Sequence, residues 1–263
     1  MIHQPIAQSV VSPDLHADWP IPSTLPELHP QQIHIWQIDL AVNPNPLQHY
    51  QSLLTADELS RAQRFQFATH RQHFMVSRGV LRQLLGHYRQ QPAEHLTFEY
   101  NQYGKPQLAQ PPMPLHFNVS HSGSQALMAF TAVGAIGIDL ESTDKTLEWD
   151  NICRRFFAPQ EIEQIFALPP AQQKSAFFQC WTRKEAFIKA RGDGLSFALK
   201  NFAVTVTGAA KLLWCTEPSE LQRWQLQALQ PAPGYAAALS VEVAQDAHRK
   251  PLQCHCFEWV HSC

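Results

Sequence analysis

The chain has 263 residues, of which 44% are hydrophobic and 16% charged, a globular composition that excludes long disorder away from the ends. Its net charge of −2, with 14 histidines counted as neutral, excludes a bulk basic field for nucleic acid, so any anion site must be local. No run approaches the roughly 20 apolar residues of a membrane span. Residues 1–25 lack the cationic stretch and apolar core of a signal peptide, so a cytosolic protein without a membrane partner is expected.

In chain order, residues 1–30 are rich in Pro and His and read as an extended surface arm. Apolar alternation over 33–40 begins the first strand. Thr55 followed three residues later by Glu58 is a capping box, so a helix starts there and carries Arg61 and Arg64. A second helix follows Thr69, with Phe74, Leu81, Leu84, Leu85 and Tyr88 on one stripe. Short strands are expected over 96–100, 115–119 and 125–131. The order then repeats: a strand over 135–141, helices over 146–191 broken near Pro159 and Pro169-Pro170, and strands over 202–206, 212–215, 224–229, 235–241 and 254–259. The repeated order hints at two similar halves, 31–133 and 134–263, jointed near Gly134.

The six cysteines are scattered, and without a secretory signal they are expected to be reduced. Cys254-His255-Cys256 offers ligands on a single strand, which does not complete a tetrahedral metal shell. A small buried strand is the plainer expectation.

Four constellations carry chemistry. In Gly137-Ile138-Asp139-Leu140-Glu141, strand alternation puts Asp139 and Glu141 on one face. Two carboxylates so close repel unless a cation or proton sits between them, and a hard divalent ion suits such oxygens. The pair alone fits an acidic strand end facing water equally well. In the helix from Phe177 to Lys189, Phe177, Trp181 and Ile188 form a buried stripe, with Glu185 and Lys189 four apart on its flank. That geometry suits either a rigid, partly dry catalytic edge or a plain surface ion pair. Phe117-Asn118-Val119-Ser120-His121-Ser122-Gly123 ends a strand with hydroxyls and an imidazole, fit for a phosphate or for an ordinary polar turn. Tyr103-Gly104-Lys105-Pro106 is a turn that carries a point charge for phosphate.

Together, the order and spacing of these motifs, continued by Gly192-Asp193-Gly194-Leu195, resemble the 4′-phosphopantetheinyl transferase family in its longer, surfactin-type branch. The likeness covers residues 55–196. It implies an α+β fold of two similar halves, each with helices on a small, mainly antiparallel sheet, and an active site at their junction. It implies a monomer that uses coenzyme A and Mg²⁺, or Mn²⁺, to modify an acyl or peptidyl carrier protein with an acidic surface.

By the same resemblance, Asp139, Glu141 and Glu185 would bind the ion, and Lys189 would touch the diphosphate and help the leaving 3′,5′-adenosine bisphosphate. Ser120 and His121 would contact coenzyme A phosphate. Tyr103, Gly104, Lys105 and Pro106 would border the adenine nucleotide, and Arg61 matches a position for the 3′-phosphate. Position 58 is Glu where some relatives have Lys, which puts the phosphate contacts of that helix in question. Glu185 would take the proton of the carrier serine, directly or through a water, with Asp139 as second candidate. Arg154, Arg155, Lys174 and Arg183 are candidates for a basic surface facing the carrier. The rival expectations are an inert carrier-binding or coenzyme-A-binding homologue and an unrelated nucleotidyl or phosphoryl transferase. The second is weakened by the absence of a Gly-x-x-x-x-Gly-Lys-Ser/Thr loop.

Overall fold

The computed structural model describes residues 19–109, 114–243 and 252–261. The greater part of the expected 1–30 arm therefore lies outside the described residues. Residues 19–30 run along the surface with little regular structure, held by Trp19 Nε1 donating to the Gln230 carbonyl (3.3 Å).

The first half comprises strand β1 (Gln32–Asp39), helices α1 (Pro44–Leu53), α2 (Ala56–Gln63) and α3 (Ala68–Arg89), and strands β2 (Phe98–Tyr100), β3 (Pro106–Leu108), β4 (His116–Ser122) and β5 (Gln125–Thr131). The second comprises β6 (Ile136–Ser142), α4 (Trp149–Phe156), α5 (Pro159–Ala167), α6 (Pro170–Arg191), β7 (Phe202–Val204), β8 (Leu212–Cys215), α7 (Glu220–Arg223), β9 (Trp224–Leu229), β10 (Tyr235–Glu242) and β11 (Gln253–Glu258). The capping box at Thr55 forms as expected, with both reciprocal hydrogen bonds to Glu58. Pro159 and Pro170 each open a helix at its first position, where the missing N–H costs nothing.

Two sheets organise the molecule. One has the order β11-β1-β5-β4 and the other β6-β10-β9. All their pairings are antiparallel except β1 with β11, which run parallel, so the last strand of the chain returns to complete the first half's sheet. Alternation along β1 sends Trp36 and Ile38 towards Val80, Leu84 and Leu85 of α3. It sends Ile33 and Ile35 the other way, where they meet Ile136, Ile138, Leu140 and Leu239 of the second sheet. The far face of that second sheet packs on α6, α4 and α5 through Phe177, Phe187 and Leu226. The layers are thus helix, sheet, sheet, helix, and the halves meet sheet to sheet. Cys254 and Cys256 lie in β11 as a plain strand, with Cys256 buried.

Candidate active site

Strands β4 and β6 are edge strands of their sheets and meet at the junction. An edge leaves backbone groups without ladder partners, and here side chains supply them. Asn118 Oδ1 accepts from the Ile138 N–H at 2.8 Å, Ser120 Oγ from Leu140 at 3.2 Å, and Ser122 Oγ from Ser142 at 2.9 Å. The two serines also donate onwards, Ser120 to Asp139 Oδ1 (3.0 Å) and Ser122 to Glu141 Oε2 (2.9 Å). The polar alternation of 118, 120 and 122 is therefore a zipper that joins the halves and aims the carboxylates of β6.

The face of β6 that carries Gly137, Asp139 and Glu141 looks towards α6. Their cross-strand partners on β10 are Ser240, Ala238 and Ala236, all small. Small residues let α6 come close: a Cβ on Gly137 would lie 2.2 Å from the Ala186 carbonyl oxygen and 2.3 Å from the Ala190 nitrogen. At this separation Lys189 of α6 reaches across, donating to Asp139 Oδ1 (2.6 Å), Ser120 Oγ (2.9 Å) and the Ile138 carbonyl (3.3 Å).

Glu185 stands one turn earlier on α6. Burial pushes its pKa up to about 7, the negative charges of Asp139 and Glu141 push the same way, and Lys189 pulls against them. The three acids expected from the sequence thus bear on one another electrostatically. Glu141 is also held by the Lys145 ammonium, on the same Oε2 that Ser122 binds.

Among the described residues no group of three or more His, Cys, Asp and Glu side chains stands ready to hold a metal ion. Two lysines, Lys189 and Lys145, hold the carboxylates of β6 instead. The donor set still suits a hard divalent cation. Every donor is a carboxylate oxygen, and Asp139 Oδ2 is buried with no hydrogen-bond partner, a costly state that a cation would relieve.

The Tyr103-Gly104-Lys105-Pro106 turn joins β2 to β3 and docks on the end of α6. Asn101 Oδ1 accepts from the N–H groups of Tyr103 and Lys105 (both 2.9 Å), and its amide donates to the Gly192 carbonyl (3.1 Å). Lys105 was expected as a point charge for phosphate. Its ammonium is instead committed to the carbonyls of Ile136 (3.0 Å), Lys189 (2.6 Å) and Ala190 (3.4 Å). A cation at the negative end of a helix fits that end's exposed carbonyls, and Lys105 thereby ties α6 to the start of β6. Burial and the nearby Lys189 bring its pKa down to about 8. Ser120, also expected at a phosphate, is buried and likewise committed to protein partners. Tyr103 and Gly104 remain exposed, and a cavity of about 210 Å³ beside the turn is lined by Pro106, His116 and Arg191.

His121 is exposed at the end of β4, with its pKa lowered by partial burial and by Lys189. His73 of α3, outside every motif, is depressed by burial and then by the nearby His121 and His70, so His73 and His121 lie near one another and burial favours the neutral imidazole of both. Arg61 is exposed on the rim of a cavity of about 530 Å³ that Asp57, Glu58, Arg64, Phe65 and Tyr100 also line. Beneath it lies Arg78, 8% exposed. Its Nε faces Glu58 Oε1 (3.6 Å), its Nη2 donates to the Tyr100 hydroxyl (3.3 Å), and its buried Nη1 has no partner. Glu58, the residue that departs from some relatives, closes the capping box and binds the buried Arg82 at 2.8 Å.

The proposed basic surface divides. Arg154 and Arg155 are exposed on α4 beside the exposed Phe156, and Lys174 is half-buried over the Phe178 ring. Arg183 does not belong with them. It is 2% exposed and donates to the carbonyls of Thr205 (2.7 Å) and Gly208 (2.6 Å), anchoring α6 to the loop after β7.

Residues 135–240 match the model of the 4′-phosphopantetheinyl transferase superfamily, and residues 42–132 match that of the 4′-phosphopantetheinyl transferase N-terminal region. The chain is 38% identical to the 4′-phosphopantetheinyl transferase HetI of Nostoc sp. over 215 residues, covering 80% of this chain and 87% of HetI. It is 30% identical to the 4′-phosphopantetheinyl transferase Sfp of Bacillus subtilis over 168 residues, covering 64% of this chain and 73% of Sfp. It is also 30% identical to psf-1 of Bacillus pumilus, covering 61% and 67% of the two chains. With both halves matched and a relative aligned along most of its length, this chain belongs to the 4′-phosphopantetheinyl transferase family.

Proposed function

We propose that the protein transfers the 4′-phosphopantetheine arm of coenzyme A to a serine of an acyl or peptidyl carrier protein and releases 3′,5′-adenosine bisphosphate. The observation that carries this reading is the convergence of Asp139, Glu141, Glu185 and Lys189 at the junction of the halves, with a buried carboxylate oxygen of Asp139 left unpartnered. The same four residues, all intact, leave an inert homologue without support.

Asp139, Glu141 and Glu185 would hold Mg²⁺, or Mn²⁺. That ion, when bound, supplies charge neutralisation to the diphosphate. Lys189 would stabilise the leaving oxygen as the bond to phosphorus breaks. Glu185 would take the serine proton, directly or through a water, with Asp139 as the second candidate. His121, joined by His73, would face the diphosphate. Arg61, with the orphaned Nη1 of Arg78 beneath it, would take the 3′-phosphate. Tyr103, Gly104 and Pro106 would border the adenine, while Lys105 and Ser120 orient α6 and Asp139. Arg154, Arg155 and Phe156 form a basic rim beside an exposed ring, which suits an acidic carrier surface. The protein would work as a monomer in the cytoplasm.

Mass spectrometry tests the reading. An apo carrier incubated with the protein, coenzyme A and Mg²⁺ should gain one phosphopantetheine on its serine. No gain on fatty acid, polyketide or non-ribosomal peptide carriers would overturn it.

A further inference from the structure

The two β6 carboxylates are both neutralised by lysines, but the lysines differ. Lys189 rises from a packed helix and has three acceptors: Asp139, Ser120 and the Ile138 carbonyl. Lys145 rises from the exposed turn after β6, its side chain is 43% exposed, and its one acceptor among the described hydrogen bonds is Glu141 Oε2. That oxygen has a second donor, Ser122 at 2.9 Å, so it stays hydrogen-bonded when Lys145 leaves. The side chain of Glu141 is itself 21% exposed, at the open edge of the site, whereas that of Asp139 is 6% exposed.

We propose that Lys145 is an exchangeable counter-ion for Glu141, a positioning residue that neutralises this carboxylate until a divalent cation takes its place. This inference rests on the proposed ion site of Asp139, Glu141 and Glu185. Asp139 and Glu141 with Lys189 alone leave the cluster one negative charge in excess, to which Glu185 adds as it ionises, and Lys145 offsets one. The ammonium competes with an incoming ion for Glu141, and the competition is mild, because an ion pair this exposed is weak. Ser122 holds the carboxylate in its aim during the exchange. The displaced ammonium stays at the mouth of the site on a flexible stem, where it meets the next anion to arrive.

The test is binding of Mn²⁺ to the full-length protein without coenzyme A, followed by the loss of the free-ion signal in electron paramagnetic resonance. K145M should bind the ion about two- to fivefold more tightly than the unaltered protein, the factor expected on removing a weak exposed competitor. K145R keeps the charge and should bind like the unaltered protein. D139N and E185Q should each abolish high-affinity binding. If they do so while K145M binds no more tightly than the unaltered protein, the counter-ion role is overturned and the ion site stands. If D139N and E185Q bind Mn²⁺ as the unaltered protein does, the ion site itself is wrong and the role of Lys145 falls with it.

Discussion

Gly137 on β6 and Ala186 on α6 are so close that a Cβ on the glycine would lie 2.2 Å from the alanine carbonyl oxygen. The obstructing atom is helix backbone, which cannot turn aside as a flexible side chain can. G137A must therefore lift α6 from the sheet, at the cost of about 1–3 kcal/mol typical of overpacking, or more. Lys189 and Glu185 ride on the same helix, so the variant should lose transfer activity beyond what its stability loss explains. Urea denaturation alongside the carrier assay checks this. An unchanged midpoint would mean that the close approach does not constrain the site.

The helix that bears Glu185 has a second anchor immediately before it. Lys184 is fully buried and donates to Glu161 (2.7 Å to each oxygen) and to the Phe202 carbonyl (2.7 Å). Glu161 also accepts from the N–H groups of Ala158 (2.9 Å) and Val204 (2.8 Å). Removing one partner leaves a buried charge uncompensated, so E161A should destabilise the protein by about 3–5 kcal/mol. K184M/E161Q should be less destabilised than the sum of its single variants, because it leaves no unpaired charge. A double-mutant cycle by chemical denaturation measures the coupling.

Local signals in the sequence were strong where they concern one element at a time. The capping box of Thr55 and Glu58, the strands of 125–131, 212–215 and 224–229, and the proline breaks before α5 and α6 all appear where expected. Helix α1 was not anticipated: its first turn holds Pro44 and Pro46, and only Pro46 and Tyr50 are buried, so it has no apolar period to read. The parallel pairing of β11 with β1 joins segments more than 200 residues apart and leaves no local trace. The same division holds in the site. Alternation on β6 pairs Asp139 with Glu141 and the helical period of α6 pairs Glu185 with Lys189, but only the family resemblance, not the local pattern, places the two pairs together. What Ser120, Lys105 and Arg183 bind depends on neighbours brought in by tertiary packing, which leaves no local trace, and burial takes Arg183 off the expected basic surface. Arg78, His73 and Lys145 lie outside the motifs and become visible only through burial and proximity.

The contrast between Arg183 and the arginines of α4 gives a separable prediction. R154E/R155E reverses exposed charges and takes the Arg154 guanidinium off the Phe166 ring, so it should cost no more than about 1 kcal/mol of stability and leave coenzyme A affinity unchanged, while raising KM for an acidic carrier several-fold. R183M should do the reverse, because it leaves the carbonyls of Thr205 and Gly208 without their donor. Equal carrier KM for R154E/R155E and the unaltered protein would move the docking surface elsewhere.

Glu185 links the site to pH. Its pKa in the folded, ion-free protein is raised to about 7 from an ordinary 4.5, with burial as the largest cause and the repulsion of Asp139 second. A group whose pKa is higher in the folded than in the unfolded chain stabilises the fold fully below the unfolded value and loses that contribution as pH rises through the folded value. With divalent ions chelated, this group's share of stability should therefore be complete below about pH 4.5 and decline as pH rises towards 7 and beyond. E185Q carries no charge to bury, so its stability should lack that decline, and at pH 8 with chelator the variant should be the more stable protein although it should fail to transfer. Saturating Mg²⁺ should narrow the difference by stabilising only the protein that keeps all three carboxylates. Parallel denaturation series from pH 5 to 8, with chelator and with Mg²⁺, read both effects. If E185Q and the unaltered protein follow the same curve with chelator, Glu185 does not ionise against Asp139 in the way its surroundings dictate.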